Sequence, residues 1–309
     1  MDFTGKDIIS IKDFSKKEID HILKCAEKMI PFAKGEKTLN LLEGKILSSL
    51  FFEPSTRTRL SFESAMNRLS GRVIGFADPT ATSQKKGETL ADTIRMADAY
   101  SDIIVMRHPS EGAARLAADF ADSPILNAGD GAGHHPTQCL LDLFTIFHEK
   151  KHIGKQNVVL LGDLKYGRTV HSLAYALSLY GSNLTFVSPK SLKMPREVIN
   201  ECKNLGATPT STTKIEKALK NADVLYVTRI QKERFPDLEE YNRVVGTYQI
   251  TMDLLKPVKK DMIIMHPLPR VTEIAPAVDQ TNHAVYFKQA FNGVPIRMAL
   301  LSLISGVKL

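Results

Sequence analysis

The sequence predicts an α/β protein of two doubly wound parallel-sheet domains joined by helices, with ligands bound in the cleft. Three observations predict it. Apolar runs of four or five residues alternate with amphipathic helical stretches almost to the C terminus. Strands buried on both faces by helices read this way. The alternation restarts after a polar stretch, Lys150–Gln156 (KKHIGKQ). The length, 309 residues, suits two domains of ~100–200 residues each.

The elements follow in order. Phe14–Phe32 carries apolar residues at helical spacing, with Cys25 on the packed face. Lys45–Phe52 is a strand, leading to a helix over Leu60–Leu69. Arg72–Phe76 is the next strand, then a helix over Glu88–Tyr100. Ile103–Met106 is followed by a helix over Gly112–Ala121, and Ile125–Asn127 by a helix from Pro136. Beyond a hinge at 148–156, Asn157–Leu161 is a strand, Thr169–Tyr180 a helix and Leu184–Val187 a strand. Helices over Arg196–Leu205 and Lys214–Asn221 precede the strands Val224–Val227 and Met262–Met265. The apolar stretch Ala299–Ile304 reads as a helix packed on the first domain.

Composition narrows the function. Hydrophobic residues make up 43% and charged residues 24%, which excludes collagen-like and wholly disordered chains. No apolar run reaches the ~20 residues of a membrane span. The opening MDFTGKDIIS has acids and no apolar core, so no secretory signal is expected. Cys25, Cys139 and Cys202 are far apart and form no C-x-x-C pair. Neither a disulfide framework nor a cysteine zinc site is expected, and a cytoplasmic setting is. The net charge is 41 − 34 = +7. It is dispersed in pairs such as Lys85-Lys86, without a basic arm or aromatic run, so nucleic-acid binding is not expected. A modest cationic excess suits a site that collects small anions.

Open parallel sheets bind ligands at the carboxyl ends of their strands. Three loops there agree in residue type. In Phe51–Arg59 (FFEPSTRTR) a strand ends, Pro54 breaks it, and Ser55-Thr56-Arg57-Thr58 enters a helix. Hydroxyls and N–H groups at a helix start, with an arginine fork, form an anion site. Arg107 follows the next strand at the same sheet edge. The third loop, Gly133–Gln138 (GHHPTQ), puts Pro136 in a first helical turn. His135 and Gln138, three apart, can meet one ligand. A histidine and an amide beside a phosphate ester suit carbonyl polarisation.

These motifs resemble the aspartate/ornithine carbamoyltransferase family. FFEPSTRTRLSFE resembles its carbamoyl-phosphate loop, VMRHP its second arginine and HPTQCLLDLFTI its His-Pro-x-Gln helix. The resemblance continues through SQKKGETLADT, GDLKYGRTVHSL, TRIQKERF and HPLPRVTEI, from about residue 45 to the end. His266-Pro267-Leu268-Pro269 and Arg229-Ile230-Gln231 stand where ornithine-specific members carry other residues. Charge favours aspartate independently. Carbamoyl phosphate and aspartate together bring roughly four negative charges, costly to bury unpaired. Arg57 and Arg107 lie in the first domain, Arg168 and Arg229 in the second.

The resemblance implies an enzyme that transfers the carbamoyl group of carbamoyl phosphate to L-aspartate, in pyrimidine biosynthesis, without cofactor or metal. Residues 1–147, joined by a C-terminal helix 288–309, would bind carbamoyl phosphate, and 148–287 aspartate. Ser55, Thr56, Arg57 and Thr58 would hold the phosphate. Thr58, Arg107, His135 and Gln138 would orient and polarise the carbamoyl group. Arg168, Arg229 and Gln231 would hold aspartate, and the carbonyls of Pro267 and Leu268 its amine. A homotrimer with sites shared between chains is implied, a neighbour lending Lys86 and Ser83, the latter in preference to Thr82. A separate regulatory chain is compatible. A carbamoyltransferase for another amino acid such as ornithine, or a non-catalytic anion-binding scaffold, are the alternatives. Glu53 is read either as a solvated loop acid or as an ion-pair partner of Arg168 or Arg234 across the cleft.

Other signals carry less. His148-Glu149-Lys150-Lys151-His152 matches H-E-x-x-H, yet two lysines fill its middle and Gly154 follows, so a solvated hinge is expected rather than zinc. Gly129–Gly133 (GDGAG) lacks dinucleotide spacing, and Asp130 would oppose a pyrophosphate. His134 and His135 would diverge by ~100° on a helix, which disfavours a shared metal.

Overall fold

The computed structural model describes residues 1–78, 86–230 and 238–309, apart from the side chains of 238 and 240. They form two compact units, Met1–Phe144 with Phe291–Leu309, and Thr145–Ala290.

The first unit opens with α1 (Lys16–Ala33). Ser15 and Glu18 close a reciprocal cap, and Ile19, Ile22, Leu23, Cys25, Ala26 and Met29 form its buried face. Then come β1 (Ile46–Phe51), α2 (Thr56–Arg68), β2 (Arg72–Phe76), α3 (Leu90–Tyr100), β3 (Ile103–His108), α4 (Ala113–Ala118), β4 (Ile125–Asp130) and α5 (Pro136–Lys150). The four strands are parallel, in the order β2-β1-β3-β4. Five of the six β1 residues are buried, and all six of β4. Leu50, Ile104, Met106 and Ile125 pack against Ile94 of α3 and Ala113 and Ala117 of α4. Central parallel strands lose both faces to helices, and their continuous apolar runs report it.

The second unit holds β5 (Asn157–Leu161), α6 (Arg168–Leu179), β6 (Asn183–Val187), α7 (Arg196–Asn204), β7 (Thr210–Thr212), α8 (Ile215–Leu219), β8 (Val224–Val227), α9 (Leu238–Val244), α10 (Met252–Leu255) and β9 (Ile263–Met265). Its five parallel strands run β7-β6-β5-β8-β9. Val159, Leu161, Leu225, Val227 and Ile264 pack with Ile215, Leu219 and Tyr286. The last helix is α11 (Tyr286–Ile304).

Several elements differ from the sequence reading. β7 is three threonine and serine residues at a sheet edge, two of them exposed, so no apolar run marks it. α9 and α10 were not expected, being short helices of seven and four residues. α4 and α8 are shorter than read. α11, 19 residues with Pro295 inside, extends well before the apolar stretch 299–304 but ends at Ile304, short of the expected 309. The H-E-x-x-H segment is not simply a solvated hinge. α5 continues through His148 and Glu149, and the Lys150 ammonium donates to the Asp261 carbonyl and pairs with its carboxylate at 2.8 Å. Long lysine stems pack while the charged head finds a partner. Among the described residues, no three His, Cys, Asp or Glu side chains are placed to hold a metal, and no helix is long and apolar enough to cross a membrane.

Candidate active site

The strand orders locate the site within each unit. From β1 the chain moves to one edge of its sheet and from β3 to the other, so the carboxyl ends of β1 and β3 form the topological switch point. The two sequence-predicted anion loops leave there. Phe51 is in register with Arg107, and the Phe52 N–H donates to the Arg107 carbonyl at 2.8 Å.

After β1, Pro54 ends the ladder and Ser55 is the N-cap of α2 in extended conformation, its hydroxyl making no capping bond. The first N–H groups of a helix lack intrahelical acceptors and carry the positive end of the dipole. Thr56 and Arg57 are exposed on that turn, and Thr58 is buried. Arg107 is half-buried beside it. Its guanidinium donates to the Ala128 carbonyl at 3.2 Å and pairs with Glu53 at 3.0 Å. The ion pair formed by Glu53 therefore lies inside the first unit. Of its two expected partners, Arg234 lies outside the described residues.

The β4–α5 loop is built around Asp130. One carboxylate oxygen accepts from the His134 N–H at 2.6 Å and the Asn127 amide at 3.0 Å, the other from the Gly112 N–H at 2.9 Å. Gly131 has φ +52°, and a Cβ there would sit 2.3 Å from the Pro109 carbonyl oxygen. Only glycine fits that approach. The loop delivers His135, buried, to the start of α5, where its carbonyl accepts from the N–H groups of Gln138 and Cys139. Gln138 is half-buried, and its amide NH₂ donates to Asp142 at 2.9 Å. Burial lowers the pKa of the neighbouring His134 despite the nearby Asp130.

The second unit repeats the logic. Its switch point lies between β5 and β8. Gly162 (φ +119°) ends β5, where a Cβ would stand 2.2 Å from the Thr228 carbonyl oxygen. Asp163, fully buried, accepts from the N–H groups of Lys165 and Tyr166 at 3.1 and 2.9 Å. That turn makes Arg168 the first residue of α6, only 9% exposed. Arg229 is half-buried immediately after Thr228, whose N–H donates to Leu161. Pro267 and Leu268 follow β9, the strand beside β8.

A buried histidine organises that last loop. The His266 Nδ1 accepts from the Leu268 N–H at 2.8 Å, so the proton sits on Nε2, which donates to Glu273 at 2.7 Å. Burial opposes ionisation of Glu273. The bonds from His266 and the backbone outweigh it and hold its carboxyl below the usual glutamate range. Leu268 itself adopts φ +51°, a left-handed conformation unusual for leucine. Neither Glu273 nor Asp142 stands in a motif that assigns it a role from sequence alone. The available signal was an acid inside each apolar or proline-rich motif, and acids are rarely fully buried without a partner.

The first unit carries Ser55, Thr56, Arg57, Thr58, Arg107, His135 and Gln138 after its strands, and the second carries Arg168, Arg229, Pro267 and Leu268. Lys86 is described only as exposed. Ser83 and Gln231 lie outside the described residues.

Two family models match the chain: aspartate/ornithine carbamoyltransferase, carbamoyl-P binding domain, over residues 6–149, and its Asp/Orn binding domain over 154–304. The chain is 60% identical to the aspartate carbamoyltransferase catalytic subunit of Methanocella arvoryzae, over 99% of each chain. It is 57% identical to that of Thermococcus kodakarensis, again over 99% of each. Among solved structures, it resembles the aspartate transcarbamoylase of Trypanosoma cruzi in complex with carbamoyl phosphate and aspartate, with TM-score 0.93, 42% identity and coverage of 98% and 97%.

Proposed function

The chain belongs to the aspartate/ornithine carbamoyltransferase family, and from that premise we propose that it transfers the carbamoyl group of carbamoyl phosphate to L-aspartate, giving N-carbamoyl-L-aspartate and phosphate. One observation carries the reading. Each unit's switch point bears two arginines, Arg57 and Arg107 in the first, Arg168 and Arg229 in the second. A phosphate ester and a dicarboxylate need such forks, whereas ornithine, with a cationic side chain, would want an acid in the second set. The relative crystallised with carbamoyl phosphate and aspartate, and again with carbamoyl aspartate and phosphate, supports the same chemistry.

The proposed roles follow from residue chemistry. The N–H groups at the start of α2, with Ser55, Thr56, Arg57 and Thr58, hold the phosphate. Arg107, His135 and Thr58 stabilise the charge that builds on the carbonyl oxygen. Arg168, Arg229 and Gln231 hold the aspartate carboxylates. The carbonyls of Pro267 and Leu268 accept from its amine, which must be uncharged to attack. The amine nitrogen bonds to the carbonyl carbon, the carbon–oxygen bond to phosphate breaks, and the departing phosphate takes the amine proton. Positioning and electrostatics supply the acceleration.

The finer reading extends the same resemblance. The chain acts in pyrimidine biosynthesis as a cytoplasmic homotrimer, with Lys86 and Ser83 of one chain completing a neighbour's site and a regulatory chain able to join. Three buried free cysteines suit a reducing compartment. Assay of product from carbamoyl phosphate with aspartate or ornithine tests the function. Carbamoyl aspartate with aspartate is expected. Citrulline formation alone would overturn the substrate assignment.

A further inference from the structure

Two buried charged residues of the first unit stand just behind the carbamoyl-facing turn of α5. Asp142 lies within the apolar run Leu140–Phe144 and is fully buried, one helical turn beyond Gln138. Arg297 of α11 is 2% exposed. Its guanidinium donates to the Thr137 hydroxyl at 3.0 Å and lies over the Phe62 ring of α2, 4.7 Å from the centroid. Burial pushes the Arg297 pKa down to about 9, and the charge of Asp142 is the influence that opposes the fall. Room for the guanidinium is built into the chain. A Cβ on Gly293, one turn earlier, would stand 2.2 Å from an Arg297 nitrogen.

A fully buried carboxylate is a poor stability device, because hydrocarbon of the same volume would serve as well or better. What it provides is direction. A carboxylate only accepts hydrogen bonds, so the Gln138 NH₂ must face Asp142, as it does at 2.9 Å. The amide oxygen is then turned away from Asp142. It is the atom left to receive a donor, and the only N–H donor of carbamoyl phosphate is its amino group. Without Asp142, the amide could rotate and present NH₂ to NH₂.

We propose that Asp142 is a positioning residue that fixes the Gln138 amide with its oxygen toward the carbamoyl amino group. The proposal rests on the reading of Gln138 as a carbamoyl contact. Beside it, Arg297 of α11 contacts Thr137 of α5 and Phe62 of α2, which fastens the phosphate-binding and carbonyl-polarising helices to each other.

A double-mutant cycle tests it. Steady-state kinetics are measured for wild type, Asp142→Asn, Gln138→Ala and the double variant, with calorimetric unfolding in parallel. Each single change is expected to lower kcat/KM for carbamoyl phosphate on the order of tenfold or more. The double variant should be no worse than Gln138→Ala, because Asp142 then has nothing left to orient. Multiplying losses, or wild-type kinetics in Asp142→Asn, would overturn the proposal and leave Gln138 as a contact. Wild-type kinetics in Gln138→Ala would instead remove the underlying reading. Should Asp142→Asn not fold, Asp142→Ser takes its place in the cycle, with the same coupling expected and independence overturning the proposal.

Discussion

Arg107 and Glu53 form an ion pair of 3.0 Å, joining the two strand ends that flank the switch point of the first sheet. An incoming anion must compete with that carboxylate for the guanidinium. Partly exposed ion pairs are worth about 0–1 kcal/mol, so Glu53→Gln should tighten binding of inorganic phosphate by up to about fivefold. Titration calorimetry reads the change. Unaltered or weaker binding would show that the pair does not compete with the ligand.

Asp130 carries the loop that presents His135. Its carboxylate receives three hydrogen bonds, from His134, Asn127 and Gly112. Asp130→Ala leaves those donors without it and should cost about 3 kcal/mol. Urea unfolding measures the loss, and kcat should fall with it, because the loop that delivers His135 loosens. Wild-type stability would refute the loop account.

The Lys6 ammonium meets Glu18 at 2.6 Å, beside the Ser15 cap of α1. Hydrogen bonds from Lys6 and then Ser15 lower the Glu18 carboxyl to about 2. A carboxylate depressed on folding stabilises above its ordinary value and loses that contribution as pH falls toward the folded value. Glu18→Gln should therefore destabilise by about 1 kcal/mol at neutral pH, after allowance for solvent screening. The gap between wild type and variant should close between pH 4.5 and about 2. A gap that stays constant with pH would assign the effect to helix propensity alone.

Under the proposed function, Lys86 of one chain completes a neighbour's site. Arg57→Ala and Lys86→Ala chains should each be inactive. Reassembled together, they should regain part of the activity, since one interface receives both intact halves. Verified mixed trimers without recovery would place Lys86 outside the site.

The sequence made the architecture readable because buried parallel strands announce themselves as apolar runs. Ile103–Met106, Asn157–Leu161 and Val224–Val227 were readable for that reason. β7 was not, because an exposed edge needs only threonine and serine. Ser55–Thr58, Arg107 and Arg168 could be located from the rule that strand ends bind ligands. Glu53 could be noticed but was matched to Arg168 or Arg234 instead of Arg107, since register, not spacing, brings it to Arg107. Thr137 and Arg297, 160 positions apart in the chain, could not be connected, because nothing local links α5 to α11. Likewise Glu273 gains meaning only when the loop after β9 folds His266 against it.

Under the proposed function, the arginines at the two switch points recognise two small polyanions. Calorimetric binding of a bisubstrate mimic, bearing a phosphonate and two carboxylates, tests it most directly. One mimic should bind per chain. Arg57→Ala and Arg229→Gln should each weaken binding at least about tenfold, the cost of losing a charge-assisted fork. A mimic that fails to bind, or that binds equally well after either arginine is removed, would contradict the account.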